Sequence, residues 1–378
     1  MKIALIGPDL LFKGGIGRYN HFLALEVLRA GHDLLFVGFR RQYPRFLYPP
    51  GTGDAIGAKE STAPYTVERL FSWDRPLSWV TAARRIGSFA PNVVVIPWWT
   101  FFWYPWFAPL MKSLRGFPIV VIAHNTTEHE GKGIRGILSR WASSHIFKLA
   151  DRIIVQSAEE ECRARALGAN NTIIVHHPLY PQFSSSLPKE EARTHFGIAP
   201  DAHVALLFGA VRPYKGADLF AEAIAALPHI TGIIAGEIWD RRLGEYLKKK
   251  AATTPNLLLF DRYFTEEEGR LLFAASDTVV LPYRRVTGSG AAMAALGAGK
   301  PLIAADLPLF REIFPVPLAT FFSPGDSLSL SLALKNFFSS PPHIDNMLLS
   351  ESFHSIISSR FEWDRLVAAI TTVTAEKG

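Results

Sequence analysis

The chain has a single cysteine in 378 residues, which excludes an intramolecular disulfide framework. Cys162 lies in the charged stretch AEEECRARALG, where a reduced and chemically idle thiol is the simplest reading. Carboxylates are missing from one stretch entirely. Residues 283–301 read YRRVTGSGAAMAALGAGKP and contain neither Asp nor Glu. Thr287-Gly288-Ser289-Gly290 turns a loop into an alanine-rich helix, and that helix start lacks the negative charge its dipole would favour. An uncharged start suits a ligand that brings its own anion. The small residues Ala291, Ala292, Ala294 and Ala295 also suit close packing of a helix on a sheet.

Acid is also scarce across the first half. Residues 1–180 carry 21 Lys and Arg against 13 Asp and Glu, a balance of +8; the rest carry 19 against 21, a balance of −2. A basic first half points to an anionic partner, either a phosphate-bearing substrate or an anionic membrane surface. There is no basic run and no nucleic-acid motif, so nucleic acid is not the expected partner. One long uncharged run exists, VVVIPWWTFFWYPWFAPLM over residues 93–111. Pro97, Pro105 and Pro109 interrupt it, so it reads as a buried strand followed by an aromatic loop rather than a membrane span. Part of the aromatic set Trp98, Trp99, Phe101, Phe102, Trp103, Tyr104, Trp106 and Phe107 either faces an acceptor or a membrane interface or forms a satellite core. The opening MKIALIGPD reads as a first strand, not a signal peptide.

Hydrophobic residues make up 48% of the chain, and they are grouped in short runs. KIALIG, DLLFVGF, NVVVIP, PIVVIAHN, DRIIVQS and NTIIVHHP mark the first half. HVALLFGA, TGIIAGE, NLLLFD, TVVLPY, PLIAADLP and ATFFS mark the second. Continuous runs of this kind suit parallel strands covered on both faces. Helical patterns such as GRYNHFLALEVLRAGH, GADLFAEAIAALPH and TEEEGRLLFAASD separate them. The rhythm predicts two doubly wound α/β domains, broken near 180–200 by a Pro- and Ser-rich linker with a short helix. The domains are placed at 1–180 and 200–355, and ligands are expected in a cleft between them.

Reading the strand ends isolates the chemistry. After the first strand, Gly14, Gly15 and Gly17 open a helix and let backbone N–H groups approach an anion. Their spacing is not the dinucleotide fingerprint, and a plain tight turn explains them equally well. His124 stands at the end of PIVVIA. The spacing of His124, Glu128, His129 and Glu130 fits no metal-ligand pattern, so no metal is expected. Arg212 and Lys215 precede a helix that opens near Gly216-Ala217-Asp218, a good setting for a polyanion. Together with the helix start at Gly288, this pair is read as the seat of a nucleotide-sugar diphosphate.

The pieces GGIGRY, HN, GAVRPYKGADLF and LPY…TGSG…ALGAGKPLIAADLP, in this order, resemble the retaining GT-B glycosyltransferases of family 4, also called group 1. FEWDRLVAAI is similar to that family's C-terminal helix, expected over about 358–376 and packed back on the first domain. The resemblance implies a GT-B fold of two Rossmann-like domains and sugar transfer from a nucleotide sugar to a glycan or lipid-linked acceptor, as in cell-surface polysaccharide or glycoconjugate synthesis. It implies catalytic roles for His124, Arg212 and Lys215. Donor contacts would come from Gly15, Gly17, Gly209, Arg262, Tyr263, Tyr283, Thr287, Gly288, Ser289 and Gly290. Arg18, Trp98 and Trp99 would lie on the acceptor side. No metal or other cofactor is implied, and the expected location is cytoplasmic with peripheral contact to an anionic membrane.

The sequence departs from the family's pattern at one point. The usual pair of glutamates aligns with Val286 and Ala294. Arg284 and Arg285, where that loop begins, either lie on an ordinary solvated loop or read an acidic donor sugar through bidentate guanidinium contacts. Two alternatives stand beside the transferase. A GT-B-type nucleotide-sugar epimerase would need further carboxylates, for which Glu128, Glu130 and Glu237 are the candidates. A non-catalytic nucleotide-sugar-binding protein would need none.

Overall fold

The computed structural model describes residues 1–12, 14–44, 63–126, 133–180, 183, 187–314, 319–340 and 361–373. The chain forms two compact units, Met1–His176 with Arg360–Gly378, and His177–Ser359.

The first unit runs β1 (Lys2–Ile6), α1 (Gly15–Arg29), β2 (Asp33–Arg41), β3 (Val67–Ser72), α2 (Ser78–Phe89), β4 (Val93–Trp98), α3 (Tyr104–Ser113), β5 (Ile119–Ala123), α4 (Ile134–Leu149), β6 (Arg152–Val155), α5 (Ala158–Ala166) and β7 (Thr172–Ile174). Its seven strands form one sheet in the order β3-β2-β1-β4-β5-β6-β7, with parallel pairing throughout. Every residue of β4 and β5 is buried, as a sheet clad with helices on both faces requires. β3, VERLFS, lies at the edge and is only half-buried along most of its length. It was not among the expected runs because its polar residues break the apolar pattern.

The aromatic stretch after β4 is helical, contrary to the loop expected there. A 3₁₀ turn over Phe101–Trp103 leads into α3, with Pro105 at the helix start. The first helical N–H groups have no partner within a helix, so proline costs little there. Pro109 lies inside α3.

The second unit runs α6 (Lys189–His195), β8 (His203–Phe208), α7 (Ala217–Ala225), β9 (Ile230–Ala235), α8 (Arg241–Thr253), β10 (Leu257–Phe260), α9 (Glu266–Ala275), β11 (Thr278–Leu281), α10 (Gly290–Gly297), β12 (Leu302–Ala305), α11 (Pro308–Ile313), β13 (Ala319–Phe322) and α12 (Ser327–Ser339). Its six parallel strands are ordered β10-β9-β8-β11-β12-β13. The buried Arg193 of α6 donates to the Ala275 carbonyl at 3.1 Å and to Asp277 at 2.9 Å, which ties α6 to the end of α9.

The last described helix, α13 (Trp363–Thr371), belongs to the first unit and packs on α1. Trp363 meets Tyr19 at 5.0 Å and Phe22 at 5.7 Å between ring centroids. Arg152, buried at the start of β6, donates from Nη1 to the Ala369 carbonyl at 2.8 Å and to Thr372 Oγ1 at 2.7 Å.

Each sheet reverses its winding once. The first turns between β1 and β4, the second between β8 and β11. Ligands of open α/β sheets bind beyond the strand ends at such a reversal.

Candidate functional site

The reversal in the second unit is where the RPYKG loop meets the carboxylate-free helix. β8 ends at Phe208, and the Gly209 N–H donates to the Ala235 carbonyl at 2.9 Å. Arg212 then caps a 3₁₀ turn over Pro213–Lys215. Gly216 adopts φ +72° and starts α7; a Cβ there would fall 1.9 Å from the Pro282 carbonyl oxygen. No other residue fits this backbone, so the loop after β8 is pressed against the end of β11. The Arg284 N–H donates to the Tyr214 carbonyl at 2.8 Å and closes the same junction.

Lys215 lies under this junction, with Nζ 5.8 Å from the Tyr283 ring centroid. Burial, and then the neighbouring Arg212 cation, push its ammonium pKa down to about 8. The Arg212 guanidinium lies over the Trp239 indole, its Cζ 4.1 Å from the ring centroid. Tyr283 is buried and its phenol is held above the ordinary range. Its hydroxyl is 3.2 Å from Ser289 Oγ. Ser289 caps α10 by accepting from the Ala292 N–H at 3.2 Å, and the first turn of α10 carries no acid. Thr287 and Ser289 are buried, and Gly288 and Gly290 are half-buried. Gly209, Arg212, Lys215, Tyr283 and Ser289 are thus brought together by two adjacent strand ends. The set supplies two cations, a helix start and hydroxyls, which is the equipment for a diphosphate.

Other expected residues stand elsewhere in the unit. Arg262 and Tyr263 follow β10, at the sheet edge. Arg262 is engaged with Glu268 at 2.7 Å and lies over the Phe264 ring at 4.0 Å, so its guanidinium braces the capped start of α9. Arg284 does not present a free fork to a sugar. Its two guanidinium nitrogens grip both oxygens of Asp218 at 2.9 and 2.7 Å, and Nη1 also donates to the Pro213 carbonyl at 2.9 Å. Arg285 is exposed. Val286 and Ala294 are both buried. Glu237 follows β9, and its carbonyl accepts from the Val211 N–H at 2.9 Å.

In the first unit, the loops after β1 and β4 flank the other reversal. Gly14 caps α1 without a side-chain bond, and the first turn of α1 has no acid. Gly15 is exposed and Arg18 half-buried. Gly17 is buried; a Cβ on it would lie 2.4 Å from the Asp9 carbonyl. Asp9 is 4% exposed and paired with Arg69 of β3 at 2.5 Å. Burial raises its carboxyl above the usual range, against the pull of Arg69. His124 follows β5, is 8% exposed and meets Tyr19 edge-on at 4.6 Å. Its N–H donates to the Trp98 carbonyl at 2.9 Å.

Trp98 itself is a core residue, 1% exposed, with its indole N–H donating to Ser143 at 2.9 Å. Trp99 keeps partial exposure and donates to the Tyr43 hydroxyl at 2.7 Å. Trp103 and Phe107 are fully buried, while Trp99, Phe101, Phe102, Tyr104 and Trp106 are half-buried and pack against the same core. Among the described residues, no three His, Cys, Asp or Glu side chains gather as metal ligands would. Glu128, His129 and Glu130 lie outside the described residues.

Sequence reasoning passed over Asp218, Trp239, Tyr19 and the Asp9–Arg69 pair. Asp218 carried a signal, an acid three residues past Lys215 in an otherwise cationic loop. Trp239 also stands just past a strand end. Asp9 and Arg69 are joined only by tertiary structure.

Two family descriptions match the chain, a glycosyl transferase 4-like domain over residues 14–179 and glycosyl transferases group 1 over residues 202–338. The chain is 27% identical over 296 residues to a D-inositol 3-phosphate glycosyltransferase of Streptomyces bingchenggensis, covering 72% of this chain. It is 29% identical over 180 residues to a lipopolysaccharide core biosynthesis mannosyltransferase of Rhizobium meliloti, covering 45% of this chain. The aligned stretches span 62% and 50% of those two relatives. Anabaena HepE, solved with UDP and glucose, superposes with a TM-score of 0.74 at 17% identity, covering 100% of this chain and 99% of that one.

Proposed function

We propose, since the chain belongs to the group 1 glycosyltransferases, that it transfers a sugar from a nucleotide-diphosphate donor to a glycan or lipid-linked acceptor. The observation that carries this reading is the junction of the β8 and β11 ends, where Arg212 and Lys215 stand beside the acid-free start of α10. Negative charge grows on the donor's diphosphate as the bond to the sugar's anomeric carbon breaks. Fixed donors aimed at that growing charge stabilise the transition state more than the ground state. Lys215 supplies a point charge and Arg212 a planar fork already held by Trp239. Ser289 and the N–H groups of α10 add neutral donors.

No metal enters this reading, because the diphosphate's charge is met by side chains and a helix start. We read the transfer as retaining, with the donor's own phosphate accepting the proton of the attacking hydroxyl. His124 serves catalysis from the first unit, and the loops after β1 and β4 serve the acceptor. With Val286 and Ala294 in place of glutamates, donor hydroxyls find partners elsewhere. The names of the two curated relatives favour a phosphorylated or lipid-linked acceptor, and the basic first half favours peripheral contact with an anionic membrane. A thermal-shift panel of UDP-, GDP-, ADP- and dTDP-sugars tests the donor site. A true donor at about 100 times its Kd adds roughly 2.7 kcal/mol of stability. Turnover of the responding sugar nucleotide then separates a transferase from a binding protein. No response from any member of the panel overturns the reading.

A further inference from the structure

The start of α10 is held by two tyrosines, and the second stands outside the set described above. Tyr283, just after β11, reaches Ser289 Oγ at 3.2 Å. Tyr180, from the segment that follows β7, packs against the next residue of the helix. A Cβ on Gly290 would fall 3.3 Å from Tyr180 Cε2 and 4.0 Å from its hydroxyl oxygen. A side chain at 290 would have to push the ring aside, so ring and backbone are already in close contact. Tyr180 is 2% exposed and Gly290 is half-buried. Both belong to the second unit.

Tyr180 is anchored at both ends. Its carbonyl accepts from the Phe183 N–H at 3.4 Å. Phe183 is buried between Phe208, the last residue of β8, and Phe273 of α9, at 5.9 and 5.3 Å between ring centroids. Gly269 makes room for it, since a Cβ there would lie 2.7 Å from Phe183 Cε1. The Tyr180 ring meets His177 edge-on at 5.1 Å, with the hydroxyl 3.3 Å from Nε2. His177 Nδ1 is 2.7 Å from the Pro178 carbonyl, which can only accept, so Nδ1 carries a proton. Loss of solvation pushes the imidazole pKa down to about 4, so the ring is neutral near pH 7 and Nε2 is an acceptor. The Tyr180 hydroxyl therefore donates to His177. A buried ring tied at backbone and hydroxyl is a stop for the helix beside it, not a loose filler.

We propose that Tyr180, held by His177, is a positioning residue for the donor diphosphate. It acts through Gly290 and keeps the first turn of α10 where its N–H groups face the phosphates. The first N–H groups of a helix have no partner within it, and what they contribute to an anion depends on direction and distance. Tyr283 restrains Ser289 and Tyr180 restrains Gly290, so two successive residues of the helix start are fixed. This role rests on the donor-site reading proposed above. A Tyr180 that merely filled core volume would affect stability without any preference for phosphates.

Calorimetric titration of the full chain with UDP, GDP, ADP and dTDP, each beside its nucleoside, tests the role. The diphosphate that binds wild type most tightly is the reference. Tyr180→Leu should bind it on the order of tenfold more weakly, while the matching nucleoside changes by less than about twofold. Tyr180→Phe keeps the ring and should stay within about threefold of wild type. Gly290→Ala presses a methyl group into the Tyr180 ring and should weaken the diphosphate on the order of tenfold. In Gly290→Ala/Tyr180→Leu the methyl has room, so the two losses should not add. Wild-type affinity for the diphosphate in both Tyr180→Leu and Gly290→Ala overturns the proposal. So does an equal loss for diphosphate and nucleoside, the mark of general loosening, and so does full additivity in the double variant. If Tyr180→Leu does not fold, Gly290→Ala decides by the same comparison of diphosphate with nucleoside. Wild type that binds none of the four diphosphates overturns the donor-site reading and this role with it, whereas normal wild-type binding with unaffected variants overturns this role alone.

Discussion

Arg284 holds Asp218 with both arms of its guanidinium, at 2.7 and 2.9 Å, across 66 residues of sequence. The same side chain donates to the Pro213 carbonyl and the same residue's N–H to Tyr214. Asp218 opens α7, and Pro213 and Tyr214 begin the turn that presents Lys215. One residue from the end of β11 therefore fixes the loop after β8 at three points.

This pair sets the position of Lys215 rather than the stability of the unit. Both side chains are more than a third or about a third exposed, and a solvated ion pair contributes at most about 1 kcal/mol. Arg284→Gln is expected to leave the unfolding midpoint nearly unchanged while lowering kcat/KM on the order of tenfold, as the loop loses its geometry. Arg284→Lys recovers part of the loss, since it can reach Asp218 but cannot keep every bond. Steady-state kinetics on all three proteins decide the point, and values within twofold of wild type would show that the loop holds itself.

Lys215→Ala is expected to lower kcat on the order of 100- to 1000-fold, about 3–4 kcal/mol, with a much smaller change in donor KM. Circular dichroism should show an intact fold. Arg212→Lys should also be impaired, because an ammonium is a point charge and cannot replace the planar guanidinium held over the Trp239 ring. His124→Ala offers a contrast. It should lose turnover yet keep the thermal shift with a free nucleoside diphosphate, since Arg212, Lys215 and Ser289, the groups proposed to hold the diphosphate, lie in the other unit.

The depressed pKa of Lys215, about 8, gives donor binding a pH dependence. A bound diphosphate favours the charged ammonium, so binding is strongest below about pH 8 and weakens as pH rises past it. Affinity should fall by up to tenfold per pH unit in that range. Without donor the sign for stability is the reverse. The unfolded lysine, near its ordinary 10.5, holds a proton that the folded one has lost between pH 8 and 10.5. Over that window this group's contribution to stability therefore rises with pH. Calorimetric titration of the donor from pH 7 to 10 measures the first effect. Lys215→Arg should bind with a flat profile.

Arg152 should matter to stability far more than to catalysis. It is 4% exposed and its bonds go to the last turn of α13. Arg152→Ala leaves the Ala369 carbonyl without this donor, and charged hydrogen bonds of this kind contribute about 1.5–3 kcal/mol. Urea unfolding should report a loss of about 3 kcal/mol, with donor KM unchanged.

Much of this was legible in the sequence because the strands are short continuous apolar runs. All six of the second unit's strands correspond to such runs, as do six of the seven in the first. VERLFS did not stand out, since an edge strand keeps polar residues. The prolines of the aromatic segment argued for a loop, but Pro105 falls where a helix tolerates it. The loops after β8 and β11 could be picked out because motif residues at strand ends converge once the sheet order is known. The grip of Arg284 on Asp218 was not, as pairing over that distance is tertiary.

The discontinuity of the first unit has a consequence for how the chain is made. A ribosome must add the whole of residues 177–359 before the segment holding α13 emerges, a delay of roughly 10–40 s at ordinary elongation rates. Throughout that interval Tyr19 and Phe22 lack Trp363, and Arg152 has no carbonyl to meet. The nascent first unit therefore waits with an open greasy seam while the second unit is free to fold. A stalled or prematurely terminated product would carry that seam permanently, which makes it a natural target for chaperones and proteases.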